Sequence, residues 1–191
     1  MLVWTCQLLF FGSPLLLAAL VHGVCLKYDL ILFLKKPLDF RLLFRGRRLL
    51  GDHKTWRGLV IQIGGCFVGG VMQGWLQKLG LIPHWLPFLD YTELGPLIGL
   101  LLGLGMTFGE LPNSFLKRQL DIPPGQRKGG LLGALFLVWD QVDLAVGIWL
   151  FCFLLVKPDV LLVVWSLVLT FVLHLSVSGL GYILKMRKTL S

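Results

Sequence analysis

The sequence predicts an all-α, polytopic membrane protein with about five transmembrane helices, and three observations support this. The chain of 191 residues is 56% hydrophobic and only 15% charged, with mean hydropathy +0.80, more apolar surface than a water-soluble domain of this length needs. Five apolar runs recur along it, each near the ~20 residues that cross a hydrocarbon core. The basic residues fall almost entirely in alternate connecting segments. Together these describe one integral-membrane domain over 1–191, with the N-terminus outside and the C-terminus cytoplasmic.

The first run, 2–24, carries Pro14 as a kink point. A cleaved signal peptide is the competing reading; it is disfavoured because no positive n-region precedes the run and no A-x-A-like site ends it. Residues 25–57 are too charged to span and form a first cytoplasmic loop. Spans at 58–76 and 95–113 follow, the latter opened by Gly95-Pro96, a favourable helix start. The run 131–156 is longer than a crossing requires. Counting back about 20 residues from Lys157 places the span at 137–156 and makes 129–136 an interfacial or re-entrant piece. A second cytoplasmic loop is then 114–130, the fifth span is 159–181, and a basic tail closes the chain.

Charge sets the orientation. Loop 25–57 holds nine Lys and Arg, loop 114–130 holds four (Lys117, Arg118, Arg127 and Lys128), and the tail holds Lys185, Arg187 and Lys188. Only Lys78 and Lys157 lie on the other side, so sixteen of eighteen cations share one face. By the positive-inside rule that face is cytoplasmic, in a cell (plasma or inner) membrane.

Spans two and three carry glycines at four-residue spacing: Gly65 and Gly69, Gly70 and Gly74, and Gly95, Gly99 and Gly103. Such faces let helix backbones approach closely, so these two spans are expected to touch. The faces can serve one chain or two, which leaves a homodimer open. Cys6, Cys25, Cys66 and Cys152 show no ligand-like spacing and read as packing residues, with neither disulfide nor zinc expected. The four histidines are equally scattered.

Asp140 and Asp143 stand at i and i+3 on one helix face inside an apolar run. A carboxylate at the centre of a membrane helix costs about 2.5–3.5 kcal/mol on insertion scales, so a cationic partner is expected to meet the pair. Glu110, near the cytoplasmic end of span three, lies at similar depth. Hard cations such as Mg²⁺ take one or two carboxylates together with phosphate oxygens and water, which makes Glu110, Asp140 and Asp143 a candidate Mg²⁺ set. Interhelical ion pairs with Lys117 or Arg118 are the alternative. Glu110, Asn113/Ser114 and Lys117 also share a helix face, a combination suited to holding metal and phosphate together. The segment Gly51–Gly58 places Lys54, Thr55 and Arg57 at a helix N-terminus, a plausible anion site without Walker A spacing. A basic patch for anionic lipid headgroups is its other reading.

Glu110-Leu111-Pro112-Asn113-Ser114-Phe115-Leu116-Lys117-Arg118, then Asp121, Pro124-Gly125 and Asp140-Gln141-Val142-Asp143, resembles the signature of the CTP-dependent phosphatidate cytidylyltransferases. The short chain, the five spans and GDHKTWRG more closely resemble the small CDP-archaeol synthase branch. Glu110 stands where that family usually has Asp, and no His-Gly-Gly follows Pro124-Gly125. The resemblance implies transfer of CMP from CTP to a lipid phosphate, giving a CDP-lipid and pyrophosphate. It implies Mg²⁺ on Glu110, Asp140 and Asp143, catalytic roles for Lys117, Arg118, Asp140 and Asp143, and substrate contacts from Lys54, Thr55, Arg57 and Ser114. CTP, a lipid phosphate and membrane lipids are the expected partners; nucleic acid is not. A CTP-dependent polyprenol kinase and a small transporter with intramembrane carboxylates are the alternatives.

Overall fold

The computed structural model describes residues 1–123 and 129–183. Pro124-Gly125, Arg127, Lys128 and the tail cations, which entered the motif and charge arguments above, lie outside the described residues. Five helices stand where the five spans are predicted: α1 (Leu2–Lys27), α2 (Trp56–Lys78), α3 (Tyr91–Gln119), α4 (Gly130–Cys152) and α5 (Val160–Ile183). The first three are each long and apolar enough to cross a membrane, and α4 is so when its two arms are taken as one span. Leu16, Leu20, Trp75, Leu150 and Leu161 point outward and exposed, an arrangement costly in water and suited to lipid.

The helices pack in chain order, and α5 closes back on α1 through Trp165 Nε1, which donates to Thr5 Oγ1 at 3.0 Å. The core joins Phe11 of α1, Cys66 of α2, Ile98 and Leu102 of α3, Trp149 of α4 and Leu162 of α5. All four cysteines are free thiols.

The expected contact of spans two and three is present, and the glycine stripes divide between two partners. Gly65 and Gly69 face α1, where an added Cβ would lie 2.7 Å from Ala18 Cα and 2.7 Å from Pro14 Cβ respectively. Gly70 and Gly74 face α3, and a Cβ on Gly70 would lie 2.9 Å from Gly99 Cα. The stripes are therefore used within one chain. A third close approach, not read from the sequence, joins α3 to α4. There a Cβ on Gly109 would lie 2.7 Å from the Asp143 carbonyl oxygen and 2.8 Å from Gly147 Cα. The spacing Gly105-x-x-x-Gly109 was its available signal.

Several boundaries differ from expectation: α3 runs on to Gln119, so Ser114, Lys117 and Arg118 stand on the helix rather than in a loop, and α4 ends at Cys152. Helix α3 starts before Gly95-Pro96 because Asp90 caps it, its carboxylate accepting from Thr92 N–H at 2.9 Å. Pro96 consequently sits inside the helix. Residues 130–136 belong to the first arm of α4, Gly130–Asp140, which meets the second arm, Val142–Cys152, at a bend of 47°. The Asp143 carboxylate accepts from Leu144 N–H at 2.7 Å, engaging a donor that the helix ladder aims at the Asp140 carbonyl. A side chain intruding on the ladder is a recognised cause of such bends.

The loop between α1 and α2 is ordered. Strands β1 (Leu43–Phe44) and β2 (Arg47–Arg48) form a hairpin whose two-residue turn, Arg45-Gly46, has φ of 52° and 76°. Both central residues at positive φ match a type I′ turn, which explains the glycine. Asp39 organises the rest of the loop, accepting from the N–H groups of Arg41, Leu50 and Gly51 and from Arg48 Nη2 at 3.0–3.2 Å. Burial works against its charge, but Arg48 and the three backbone donors prevail and hold its pKa at about 2. Its stabilising effect is therefore complete above the ordinary carboxylate pKa and is lost only as pH falls through about 2. Asp39→Ala should loosen the loop by about 2–3 kcal/mol at neutral pH, seen as faster limited proteolysis between residues 40 and 54.

Candidate active site

The bend in α4 aims two carboxylates at α3. The glycine contact at Gly109 and Gly147 brings the two backbones together one turn below Asn113, so a short side chain spans the gap. Asn113 Nδ2 donates to Asp140 Oδ1 at 2.6 Å and to Asp143 Oδ2 at 2.8 Å. Asn113 and Asp143 are buried, at 4% and 6% exposure, while the Asp140 side chain remains about one-third open. The Asn113 amide oxygen is buried without a hydrogen-bond partner.

Two lysines complete this end of the bundle. Lys117, one turn beyond Asn113, forms an ion pair with Asp140. Lys54 reaches down from the ordered loop to pair with Glu110 of α3. Glu110 and Asp140 both lie within electrostatic reach of Asp143. His22 of α1, which the sequence reading passed over as scattered, lies within similar reach of Arg57, Glu110 and Lys54.

The structure thus brings together Glu110, Lys117, Asp140, Asp143 and Lys54, with Ser114 half-buried beside Asn113. It does not assemble the expected three-carboxylate cradle. Among the described residues, no three His, Cys, Asp or Glu side chains converge closely enough to hold a metal ion. Glu110 is engaged by Lys54 instead, and without a cation between them its charge and those of the aspartates repel. The interhelical ion pair weighed as the alternative does form, between Lys117 and Asp140.

Three other expected contacts have structural duties. Thr55 caps α2, its hydroxyl accepting from Gly58 N–H at 3.2 Å. Arg57 is 4% exposed and donates through Nη1 to Asp29 Oδ1 at 2.7 Å and to the Leu30 carbonyl at 2.9 Å, pinning the chain that leaves α1. Arg118 turns back to the Ile122 carbonyl, closing the end of α3, with its Nε buried and unpartnered.

The hairpin is latched onto that same helix end. Arg47 Nη2 pairs with Asp121 Oδ2 at 2.5 Å, Gln119 Nε2 donates to the Arg48 carbonyl at 3.3 Å, and the Phe44 and Phe115 rings lie 5.9 Å apart. These contacts fix the loop that carries Lys54 against the helix that carries Glu110. The hairpin was not read from the sequence, and its partners lie more than 70 residues away along the chain.

A family model described as CarS-like, CDP-archaeol synthase, matches residues 7–190. The CDP-archaeol synthase of Methanosarcina mazei is 33% identical over 168 residues, covering 80% of this chain and 89% of the relative. That of Methanoregula boonei is 37% identical over 161 residues, covering 80% and 87%. The chain belongs to the CDP-archaeol synthase family. A solved structure, described as an intramembrane enzyme for archaeal membrane lipids biosynthesis, shares the fold with a TM-score of 0.62, covering 88% of this chain and 90% of its own at 22% identity. Within the CDP-archaeol synthase family assignment, the bridged aspartates and the two lysine pairs are the features whose chemistry needs an account.

Proposed function

We propose that the charged end of the bundle, where α3 and the bend of α4 meet the ordered loop, is the reaction centre and faces the cytoplasm. The protein is a membrane cytidylyltransferase that transfers CMP from CTP to a lipid phosphate, releasing pyrophosphate. The names of its relatives favour an isoprenoid glyceryl ether phosphate as acceptor and CDP-archaeol as product. The observation that carries the site is the pair Asp140 and Asp143, held by Asn113 between Lys117 and the Lys54–Glu110 pair. Gathering of the loop cations at this end supports the cytoplasmic orientation, where CTP is available.

Mg²⁺ fits this set. The donors are all oxygen, two carboxylates suffice when phosphates supply the remainder, and an orphaned amide oxygen lies on the residue that bridges them. Asp140 and Asp143 would hold the ion. When bound, it would screen the triphosphate and stabilise charge developing on the leaving pyrophosphate.

The chain's own groups supply the rest. A lipid phosphate oxygen, already anionic, attacks the α-phosphorus of CTP, and the bond from that phosphorus to the β-bridging oxygen breaks with its electrons leaving on pyrophosphate. No strong base is required, because the nucleophile carries no proton to be removed. Like-charge repulsion is the obstacle, and it is met by placing ammonium groups beside the reacting phosphates. Lys117 and Lys54 each hold a carboxylate counter-ion, and binding of a triphosphate gives each ammonium a more highly charged partner. Ser114 adds a hydroxyl on the same face. The apolar chains of the acceptor stay in the bilayer beside the outward-facing helix surfaces.

Purified protein in detergent, given CTP, Mg²⁺ and a panel of lipid phosphates, should release one pyrophosphate per CDP-lipid formed. Release of CDP instead would identify a kinase. Absence of pyrophosphate with every lipid phosphate would overturn the site assignment.

A further inference from the structure

We infer that Asn113 is a ligand of the cation site: on loading, its amide turns over and presents Oδ1 to a divalent ion lying between Asp140 and Asp143. The inference rests on the divalent-cation reading above. In the structure the Asn113 NH₂ group uses both hydrogens on carboxylates, Asp140 Oδ1 at 2.6 Å and Asp143 Oδ2 at 2.8 Å. A donor placed between two anions occupies the position that a cation would otherwise take. The other end of the amide is left with nothing, for Oδ1 is buried and unpartnered on a residue only 4% exposed.

Amide nitrogen and oxygen exchange places on a half-turn about the last side-chain bond. With no cation present, an oxygen facing two carboxylates is repelled, so the NH₂ orientation wins. With a dication present the preference reverses, because a carbonyl oxygen is a ligand that hard cations accept and an NH₂ group is not. A neutral third ligand also leaves the protein's contribution at two negative charges, matched to a divalent ion. Lys117, paired with Asp140, is the second placeholder and is released toward phosphate when the ion enters.

Mn²⁺ titration of the full-length protein in detergent, read from the EPR signal of free Mn²⁺, tests this without turnover. Wild type should show a saturable site that Asp140→Asn removes. Asn113→Ala should weaken Mn²⁺ binding about tenfold or more. Asn113→Asp, which keeps an oxygen and loses the NH₂, should bind Mn²⁺ at least as tightly as wild type. Wild-type affinity in Asn113→Ala, or binding by Asn113→Asp as weak as by Asn113→Ala, overturns the inference while leaving the cation site intact. If Asn113→Ala does not fold, Asn113→Asp decides alone: weaker binding than wild type overturns the inference. If wild type binds no Mn²⁺ that Asp140→Asn abolishes, the cation reading fails and this inference fails with it.

Discussion

Asp143→Asn should lower turnover by about 10²–10³-fold or more while the bundle keeps its helical content. The substitution is nearly isosteric. The native carboxylate accepts from Asn113 Nδ2 through Oδ2 and from Leu144 N–H through Oδ1, and an asparagine at 143 keeps an acceptor oxygen for one of these two donors. What disappears is the negative charge, and with it half of the carboxylate pair proposed to hold Mg²⁺. Asp140→Asn should act as strongly on turnover, and it also leaves Lys117 without its counter-ion. Glu110→Gln should be milder, since that carboxylate is paired to Lys54 rather than gathered with the aspartates. Pyrophosphate release from CTP and a lipid phosphate, measured beside circular dichroism of the same samples, ranks the three. Turnover retained in Asp143→Asn would remove the aspartate pair from the reaction. Loss in Glu110→Gln as complete as in Asp143→Asn would restore the three-carboxylate arrangement.

Gly70→Ala should destabilise the protein by about 3 kcal/mol or more, although it adds one methyl group. The new Cβ would collide with the Gly95 carbonyl oxygen and lie 2.9 Å from both Gly99 N and Gly99 Cα. All three are backbone atoms of α3, which have no rotamer by which to move aside. The helices must separate, and dispersion contacts along the whole α2–α3 seam are lost together. The same separation carries Lys54, just before α2, away from Glu110 on α3, so activity should fall with stability. Gly64→Ala is the matched control: no atom beyond its own helix turn lies within 4 Å of its Cβ position, and it should be neutral or stabilising by up to about 1 kcal/mol. Thermal unfolding and size-exclusion behaviour in detergent separate the two cases. Equal melting of Gly70→Ala and wild type would mean that the seam is not closely packed.

Much of the fold was legible because a bilayer imposes a strong, local requirement. Each crossing needs a long apolar run and each connection needs charge, and both are read residue by residue. The five helices therefore stand where they were predicted, and the touching faces of α2 and α3 followed from glycine spacing alone. The ends were less secure. Gly95-Pro96 suggested a start that Asp90 provides earlier, and 130–136 forms the first arm of α4, set off from the second by a bend at the aspartates.

The site was legible as an inventory and not as a set of partnerships. Asp140, Asp143, Glu110, Lys117 and Lys54 were all named from charge and motif, yet the sequence contained nothing to say that Glu110 pairs with Lys54 while Asn113 bridges the aspartates. Nor could it show Arg57 held by Asp29, or Arg47 latched to Asp121. The sequence by itself determined the helices, the end of the bundle at which charge collects, and the family. Only the tertiary structure decided which charge meets which. Transfer energies act on each residue separately, whereas hydrogen bonds near 2.7 Å depend on how closely two backbones approach, and here that distance is set by Gly109 against Gly147.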